Sequence, residues 1–367
     1  MLRLLSVILI FALPAPTPAK AQETVKTSAG TVIIEPVLRG LNAPWAVGFL
    51  PDGGFLVTER DGRLLIAKSG DKIRAVSGVP KVVAKGQGGL LDVVVARDFA
   101  QSGEIFLSYS EPRTGGAATA LAVARLDAKA ARLTDLRVIF RMKHASRSNK
   151  HFGSRIVEAR DGTLFLTIGD RGDRDLAQDP MRHNGKVIRV ARDGSIPADN
   201  PFAKGGALPE IWSLGHRNPQ GAALDLQGRF WTVAHGARGG DEVNRPEAGK
   251  NYGWPVISYG RHYTGFKIGV GTKAPGMEQP RYYWDPSIAP SGMMIYSGKL
   301  WPKWKGDIFI GALKFDYIAR LEGNPLKEAE QLFRDQFIRI RDVREAPDGT
   351  IWFLAVGDDA LYRIRPG

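Results

Sequence analysis

A short pattern recurs six times along this chain of 367 residues and constrains its fold more than any other feature. Each copy ends a turn with a glycine and continues with apolar and β-branched residues, as in RDGTLFLTIGD and PDGTIWFLAVGD. Glycine adopts the positive φ that tight hairpin turns need, and the residues after it favour strands. The pattern predicts six repeated β units, whose glycines are Gly54, Gly103, Gly162, Gly228, Gly306 and Gly349.

The spacing of these glycines indicates the architecture. Successive copies are 49, 59, 66, 78 and 43 residues apart. The shorter spacings fit one four-stranded blade, and the longer ones fit a blade plus a loop. We therefore predict an all-β fold, a six-bladed β-propeller of four-stranded antiparallel blades, that forms one domain over residues 22–367. Residues 22–33 should share a blade with the C-terminus, and 260–280 should be a long loop. A pair of β-sandwiches is the alternative.

The first 21 residues have the pattern of a secretory leader. Arg3 provides the positive start, an apolar run covers 4–13, and AKA at 19–21 is a small-x-small cleavage site. The apolar run is too short for a permanent transmembrane helix, and no other stretch approaches 18 apolar residues. We expect a mature protein that begins near Gln22, has no stable membrane anchor, and is periplasmic or secreted.

Composition excludes several kinds of site. The chain has no cysteine, so disulfides, thiolate metal sites and a cysteine nucleophile are ruled out. Its net charge is +13, which becomes +11 without the leader because Arg3 and Lys20 lie there. The basic residues are scattered and form no nucleic-acid-binding motif, so we expect an anionic small ligand rather than nucleic acid.

Counting along the repeats brings several charged residues to one end of the propeller. A strand that follows a repeat glycine crosses its blade in about eight residues and leaves at the far face. Like charges that crowd together favour a counter-anion, and arginine binds carboxylates through paired hydrogen bonds. We therefore predict a ligand with several carboxylates, with surface ion pairs as the alternative. The residues that the count brings to this end of the propeller, here called the mouth, are Gln87, His151, Asp170, Arg217, Gly236, Lys314, Arg339 and Arg341.

His151 and Asp170 are the candidate catalytic pair. A carboxylate on one imidazole nitrogen fixes the tautomer and leaves the other nitrogen free to accept a proton. A histidine with a purely structural hydrogen bond is the alternative. The nearby Asp173, Asp175 and Asp179 lack the EF-hand spacing, so they either solvate a loop or hold a structural calcium.

Stretches between residues 86 and 343 resemble the soluble pyrroloquinoline quinone (PQQ)-dependent sugar dehydrogenases, and most closely their periplasmic aldose dehydrogenase branch. They are GQGGLLDVVV, KHFGSRI, LTIGDRG, GHRNPQG, HGARGGDEVNRPEAGKNYGWP, IAPSGM, LKFDYIARL and IRIRDV. The resemblance implies PQQ and Ca²⁺ as cofactors and oxidation of an aldose at its anomeric carbon to a lactone, with hydride transfer to the quinone. It leaves open the preferred sugar, the electron acceptor and the oligomeric state.

The resemblance also implies roles for single residues. His151 matches the general base, and Asp170 matches the residue that orients it. His235 and Ala237 depart from the glucose-oxidising branch, which has Gln and Pro there, and we expect His235 to affect substrate fit. Long insertions of that branch are missing, which predicts an open site and a broad aldose range. Gln87, Arg217, Asn218, Lys314, Arg339 and Arg341 match the residues that hold PQQ, and the backbone carbonyls of Gly236 and Ala237 match the calcium ligands, with Asp241 behind them.

Two other functions are compatible with such a fold. A calcium-dependent lactonase would need calcium held by carboxylate and amide side chains in the channel, whereas the channel predicted here is cationic. A non-catalytic sugar-binding propeller would have no need of His151 or of the arginine cluster, and this chain has both.

Overall fold

The computed structural model describes residues 22–68 and 72–367, so the predicted leader lies outside the described residues. Within these residues, 25 strands form six antiparallel sheets. In chain order the strands are β1 Glu23–Thr27, β2 Gly30–Arg39, β3 Pro44–Phe49, β4 Gly54–Glu59, β5 Leu64–Lys68, β6 Arg74–Val76, β7 Leu90–Val95, β8 Glu104–Arg113, β9 Gly116–Asp127, β10 Arg132–Arg141, β11 Ile156–Glu158, β12 Leu164–Ile168, β13 Lys186–Val190, β14 Ile211–Leu214, β15 Pro219–Leu224, β16 Phe230–Ala234, β17 Asp241–Asn244, β18 Tyr282–Trp284, β19 Pro290–Ile295, β20 Ile308–Ala312, β21 Ile318–Glu322, β22 Lys327–Leu332, β23 Ile340–Glu345, β24 Ile351–Ala355 and β25 Ala360–Pro366.

The sheets are the six blades of a propeller, as the repeat predicts. Strands β3, β7, β11, β15, β19 and β23 are the first strands of their blades, and they contact one another in a ring around the axis. Five blades have four strands. The last blade has five, because β1 and β2 from the N-terminus pair onto β25. This pairing confirms the expected ring closure by the two chain ends.

Helical structure is limited to three short segments among the described residues. They are α1 (Phe99–Ser102) and two 3₁₀ turns, Arg174–Ala177 and Pro302–Trp304. None of the described helices is long and apolar enough to cross a membrane. The longest connection without a strand runs from residue 245 to residue 281 and contains the loop predicted at 260–280.

The repeat glycines lie at or next to the start of the second strand of each blade, most of them in hairpin turns, whereas Gly103 caps the short helix α1 before β8. Gly162 and Gly228 have φ of 84° and 83°, a region that side chains with a Cβ rarely occupy. The first blade differs from the prediction, because Gly53 has the positive φ of 84° and Gly54 already belongs to β4. The extra glycine in PDGG shifts the turn by one residue, and the Gly54 N–H is bonded to Asp52 Oδ1 at 3.0 Å.

Four charged side chains fill the axis where the inner strands meet. The Arg155 guanidinium lies 3.2 Å from Asp92 Oδ1 and 3.1 Å from Asp342 Oδ1. Arg344 pairs with the same two carboxylates at 2.7 and 3.0 Å. Both carboxylates are fully buried, and the two arginines supply the positive charge that balances them. The Ile156 N–H also donates to Asp92 and the Val47 N–H to Asp342. This network forms the floor below the mouth that holds the candidate site.

Candidate active site

His151 and Asp170 come together at one end of the third blade. His151 precedes β11 and Asp170 follows β12, and because these strands are antiparallel neighbours, both residues emerge at the same face. The distance from His151 Nδ1 to Asp170 Oδ1 is 2.6 Å. His151 is 8% exposed and Asp170 1%. The pairing expected from the sequence is therefore present in the structure.

Asp170 is held by two further donors. Trp254 Nε1 donates to Oδ2 at 2.9 Å, and the Gly172 N–H donates to Oδ1 at 2.7 Å. Burial raises the pKa of Asp170, but the hydrogen bond from His151, the Gly172 N–H and the Arg217 charge outweigh it, so the pKa is lowered. The carboxylate therefore remains ionised and fixes the histidine tautomer with the proton on Nδ1.

His151 itself is a neutral base in this setting. Burial lowers its pKa, the hydrogen bond to Asp170 acts in the opposite direction, and the Arg217 charge lowers the pKa further. Its Nε2 atom makes no hydrogen bond to any residue described in the structure. A neutral imidazole with one free nitrogen is suited to accept a proton from a substrate hydroxyl.

The backbone around His151 is fixed by residues that sequence reasoning did not single out. Arg171 is 1% exposed and donates to the carbonyls of Ser148 and Lys150. Its guanidinium also lies 3.4 Å from the centre of the Phe152 ring. Arg171 thus clamps both sides of His151. Arg171 lies in LTIGDRG and Trp254 lies in KNYGWP, two of the motifs that carry the family resemblance, but the sequence alone assigned no role to either residue.

A cavity of about 540 Å³ opens beside this pair and collects most of the residues predicted to hold PQQ. Four of its lining residues are cations, and none is an aspartate or glutamate. Burial first, and then the charges of Arg155, Arg339 and Arg60, lower the pKa of Arg341 to about 9. The cavity is thus poised for an anion. Its lining includes Trp45, Arg60, Gln87, Asn218, Gln220, His235, Lys314, Arg339 and Arg341.

Gln87 and Asn218 connect this cavity to the His151 segment. Gln87 Oε1 accepts a hydrogen bond from the His151 N–H at 2.6 Å. Asn218 Oδ1 accepts from the Gly153 N–H at 3.1 Å, so its amide oxygen is already used within the protein. Gln220, which sequence reasoning missed, accepts from Arg341 Nη1 at 3.0 Å. It also donates to the Gly153 carbonyl at 3.2 Å.

Arg217 lies next to the cavity lining rather than within it. Its Nη1 donates to the His235 carbonyl at 3.3 Å, and its guanidinium lies 5.3 Å from the centre of the Trp254 ring. Burial lowers the pKa of Arg217, and the charge of Asp170 partly offsets that effect. Arg217 is therefore close enough to Asp170 to influence the charge of the histidine pair.

His235 lines the cavity with a ring that is tied to the backbone. Its Nε2 donates to the Pro290 carbonyl at 2.6 Å. Burial, together with the charges of Arg217 and Arg341, lowers the pKa of His235 to about 3. This histidine therefore adds no charge near neutral pH, and it can affect a substrate through its shape and through Nδ1, which is a hydrogen-bond acceptor.

Gly236 and Ala237 form a tight turn whose carbonyls are free. Neither carbonyl oxygen accepts a hydrogen bond from any residue of 22–68 or 72–367. The Gly236 N–H donates to Asp241 Oδ1 at 2.8 Å, and Asp241 Oδ2 also accepts from the Ile288 N–H at 2.7 Å. A Cβ on Gly236 would lie 2.0 Å from the Gly239 carbonyl oxygen. Free carbonyls on a rigid turn are suitable ligands for calcium, which prefers oxygen.

A side-chain metal site of the lactonase type has no counterpart in the described part of the chain. No group of three or more His, Asp or Glu side chains there could hold a metal ion. Asp173, Asp175 and Asp179 belong to no such group, and Asp175 is 81% exposed at its side chain.

Comparison with known proteins agrees with the geometry. The family model for Glucose / Sorbosone dehydrogenase matches residues 41–363. The aldose sugar dehydrogenase YliI of Escherichia coli (strain K12) is 45% identical over 346 residues, which cover 92% of this chain and 93% of that protein. Quinoprotein glucose dehydrogenase B of Acinetobacter calcoaceticus is 25% identical over 424 residues, which cover 93% of this chain and 88% of that protein.

Solved structures show the same architecture. The crystal structure of the soluble aldose sugar dehydrogenase from Escherichia coli in its apo-form has a TM-score of 0.88 at 43% identity, with coverage of 92% of this chain and 100% of that chain. The PQQ-bound aldose sugar dehydrogenase from Streptomyces coelicolor has a TM-score of 0.75 at 24% identity, over 91% and 98% of the two chains, and supports the fold. The resemblance and the propeller predicted from the sequence are thereby confirmed. The chain belongs to the Glucose / Sorbosone dehydrogenase family and is an oxidoreductase.

Proposed function

We propose that this protein oxidises aldose sugars at the anomeric carbon to lactones, with PQQ and calcium as cofactors. One observation carries the proposal: a buried neutral His151, paired with an ionised Asp170, is hydrogen-bonded through its N–H to Gln87, which lines a cavity with four cations and no carboxylate. A relative that covers most of the chain is named a quinoprotein glucose dehydrogenase, which supports the choice of cofactor.

Cofactor binding is assigned to the cationic cavity. PQQ carries several carboxylates, and Lys314, Arg339 and Arg341 would pair with them through charge-assisted hydrogen bonds. Gln87 and Asn218 would contribute polar contacts from the opposite wall. When bound, PQQ supplies a quinone that accepts a hydride, and calcium supplies a Lewis acid that polarises it. Burial and the charges of Arg155, Arg339 and Arg60 lower the pKa of Arg341, so an anionic guest would offset the repulsion among these cations.

Proton transfer is assigned to His151. Its Nε2 atom would take up the proton of the anomeric hydroxyl while the hydride leaves the same carbon. The positive charge that then appears on the imidazole would be stabilised by Asp170 Oδ1 at 2.6 Å. Trp254 and Gly172 keep this carboxylate in place. Arg217 adds positive charge beside the pair, which favours an anionic reduced cofactor over the resting state.

Calcium is assigned to the turn at Gly236 and Ala237, whose two free carbonyls would be its ligands. Asp241 accepts the Gly236 N–H and is buried, so it would hold the turn and add negative charge nearby without being a ligand itself. The substitution of proline by Ala237, relative to the glucose-oxidising branch, leaves the carbonyl available.

The two alternatives are less well supported. A lactonase would require carboxylates together with amides to hold its metal, and the lining of this cavity has amides but no carboxylate. A non-catalytic sugar-binding protein would gain nothing from a base whose tautomer is fixed by Asp170 and whose backbone is clamped by Arg171.

Export through the leader is part of the proposal. A periplasmic or secreted enzyme would meet sugars directly and pass electrons to an acceptor outside the cytoplasm. We expect the mature N-terminus at or near Gln22, since the AKA pattern at 19–21 fits cleavage there. N-terminal sequencing of the periplasmic or secreted fraction measures this, and an intact Met1 in that fraction would contradict it.

Reconstitution tests the whole proposal. Cofactor-free protein should reduce a redox dye in the presence of an aldose only after both PQQ and Ca²⁺ are added. Chelation should remove the activity and release the cofactor together, because the ion would contact both protein and quinone. Dye reduction that is independent of PQQ, or no reduction with any aldose after full loading, would refute the assignment.

A further inference from the structure

The loop at residues 261–273, here called the rim loop, exposes an unusual amount of apolar surface. The three most exposed large apolar side chains of the described residues are Tyr263, Phe266 and Val270, at 75%, 74% and 75%. Single exposed apolar residues are common on proteins, but a cluster of them marks a binding surface. All three fall within one short segment, so the rim loop has the character of an interaction site.

The rim loop is attached directly to the candidate active site. Ile268, at its centre, is 2% exposed and packs with Ala177, Trp254 and Ala237. The side chain of Tyr263 lies close enough to Arg217 to influence its charge. Ile268 therefore links the rim loop directly to Trp254, which contacts Asp170, and to Ala237 of the calcium turn.

The rim loop is also basic without compensation in its own segment. Residues 251–277 contain no aspartate or glutamate. Arg261, Lys267 and Lys273 lie in this stretch and are exposed. A basic rim around an apolar centre complements an acidic protein with an apolar contact patch, and such complementarity speeds association.

We propose that the rim loop is the docking surface for an acidic, one-electron redox protein that receives the electrons of sugar oxidation. The inference rests on the proposed function and adds a partner to it. Conversion of an aldose to its lactone breaks the anomeric C–H and O–H bonds and releases two electrons and two protons. Two oxidised acceptor molecules are reduced by one electron each in successive encounters, and the protons pass to solvent.

A membrane surface fits this loop less well. Anionic membranes are typically bound by clusters of about 4–8 lysines and arginines, and the rim loop has three. Electron transfer requires the acceptor to approach the cofactor closely. A partner that docks on the rim loop would meet this requirement, because the loop lies beside Arg217. The remaining alternative is that the rim loop binds the sugar substrate, which predicts that changes in the loop raise the KM for sugar.

The test uses the holoenzyme with excess aldose and three acceptors: plastocyanin, which is an acidic blue-copper protein, a basic cytochrome c, and a small neutral dye. Two rim-loop variants, Phe266→Ser and Lys267→Glu, are compared with Lys303→Glu. Lys303 is exposed between β19 and β20, at the opposite end of the blade from the site, and its reversal changes the net charge equally.

Wild-type enzyme should reduce plastocyanin faster than the basic cytochrome, and this advantage should shrink as salt screens the charges. Lys267→Glu should slow the second-order reaction with plastocyanin by about threefold or more, because rim charges mainly affect association rates. Phe266→Ser should slow it by about tenfold, as truncation of an exposed aromatic anchor does at interfaces. Lys303→Glu should behave as wild type, and dye reduction and the KM for sugar should be unchanged in all three variants.

Each other outcome overturns the inference. Equal rates of plastocyanin reduction in all variants would show that the rim loop is not the docking surface. A raised KM for sugar in Phe266→Ser, measured with the dye, would assign the rim loop to substrate binding. If the rim-loop variants lose binding to anionic vesicles and nothing else changes, the loop would be assigned to a membrane. If no aldose drives dye reduction, the proposed function fails separately. Calorimetric titration of plastocyanin into wild-type, Lys267→Glu and Lys303→Glu protein then tests the surface without catalysis.

Discussion

Replacement of Asp170 by asparagine tests the central geometry of the site. The carboxylate accepts at both oxygens, from His151 Nδ1 and the Gly172 N–H at Oδ1 and from Trp254 Nε1 at Oδ2. An asparagine has one oxygen and one NH₂ group, so one of the two ring donors loses its acceptor. Asp170→Asn should therefore keep the fold but leave His151 with a weaker hold on its tautomer.

The expected loss follows from the hydrogen bond that is removed. A hydrogen bond to a charged group contributes about 1.5–3 kcal/mol. If that contribution is realised as the imidazole gains its proton, the rate of sugar oxidation should fall roughly ten- to hundredfold. Asp170 acts to raise the pKa of His151. Its removal should lower that pKa further, so the acid limb of the pH–rate profile should move to lower pH.

Stopped-flow reduction of bound PQQ by an aldose, measured across pH, separates this step from cofactor binding. PQQ affinity should change little, because Asp170 does not line the cationic cavity. Asp175→Asn is the matched control, since Asp175 lies in the same connection with its side chain 81% exposed. The reasoning fails if Asp170→Asn reduces the cofactor at the wild-type rate, or if its acid limb moves to higher pH.

Three further predictions address the remaining parts of the site. Arg341→Gln should weaken PQQ binding about ten- to hundredfold in an equilibrium titration. The pKa of Arg341 is lowered to about 9, which means that its positive charge destabilises the folded, cofactor-free protein near pH 7. Cofactor-free Arg341→Gln should therefore lose no thermal stability, and a lower melting temperature with unchanged PQQ affinity would contradict this expectation. Arg171→Gln should reduce kcat and shift its pH profile, with partial rescue by Arg171→Lys, whereas a drop in melting temperature with normal kinetics would indicate a structural role only. Gly236→Ala should weaken calcium binding at least about tenfold by equilibrium dialysis, because the new Cβ would meet the Gly239 carbonyl at 2.0 Å, while Ala237→Ser should be mild; equal affinities would move the calcium site elsewhere.

The residues of the cationic cavity were largely predictable from the chain. Strands have a fixed rise and alternate their side chains between two faces, so equal offsets from the repeat glycines lead to the same mouth. Lys314, Arg339 and Arg341 line one cavity for this reason, and Gln87, which lies ahead of the second repeat, joins them there. Arg60 lines the same cavity but lies six residues after Gly54 rather than eight, so the offset count did not identify it.

Contacts between distant segments were not predictable in the same way. Trp254 donates to Asp170 across 84 residues of sequence, and it does so from a connection that has no strand period to count along. Arg171 immediately follows Asp170, yet its side chain turns back to clamp residues 148–152. Such contacts depend on loop conformation, which a local pattern does not encode.

By itself, the sequence determined the number of blades, the face on which the charged residues meet and the pairing of His151 with Asp170, because each follows from local periodicity. Only the tertiary structure decided how the site is held. It brings Trp254, Arg171 and Gln220 around the base, turns the rim loop outward beside Arg217, and leaves the Gly236 and Ala237 carbonyls free. These features arise where irregular connections from different blades pack together, and their geometry is set by the whole ring rather than by any one repeat.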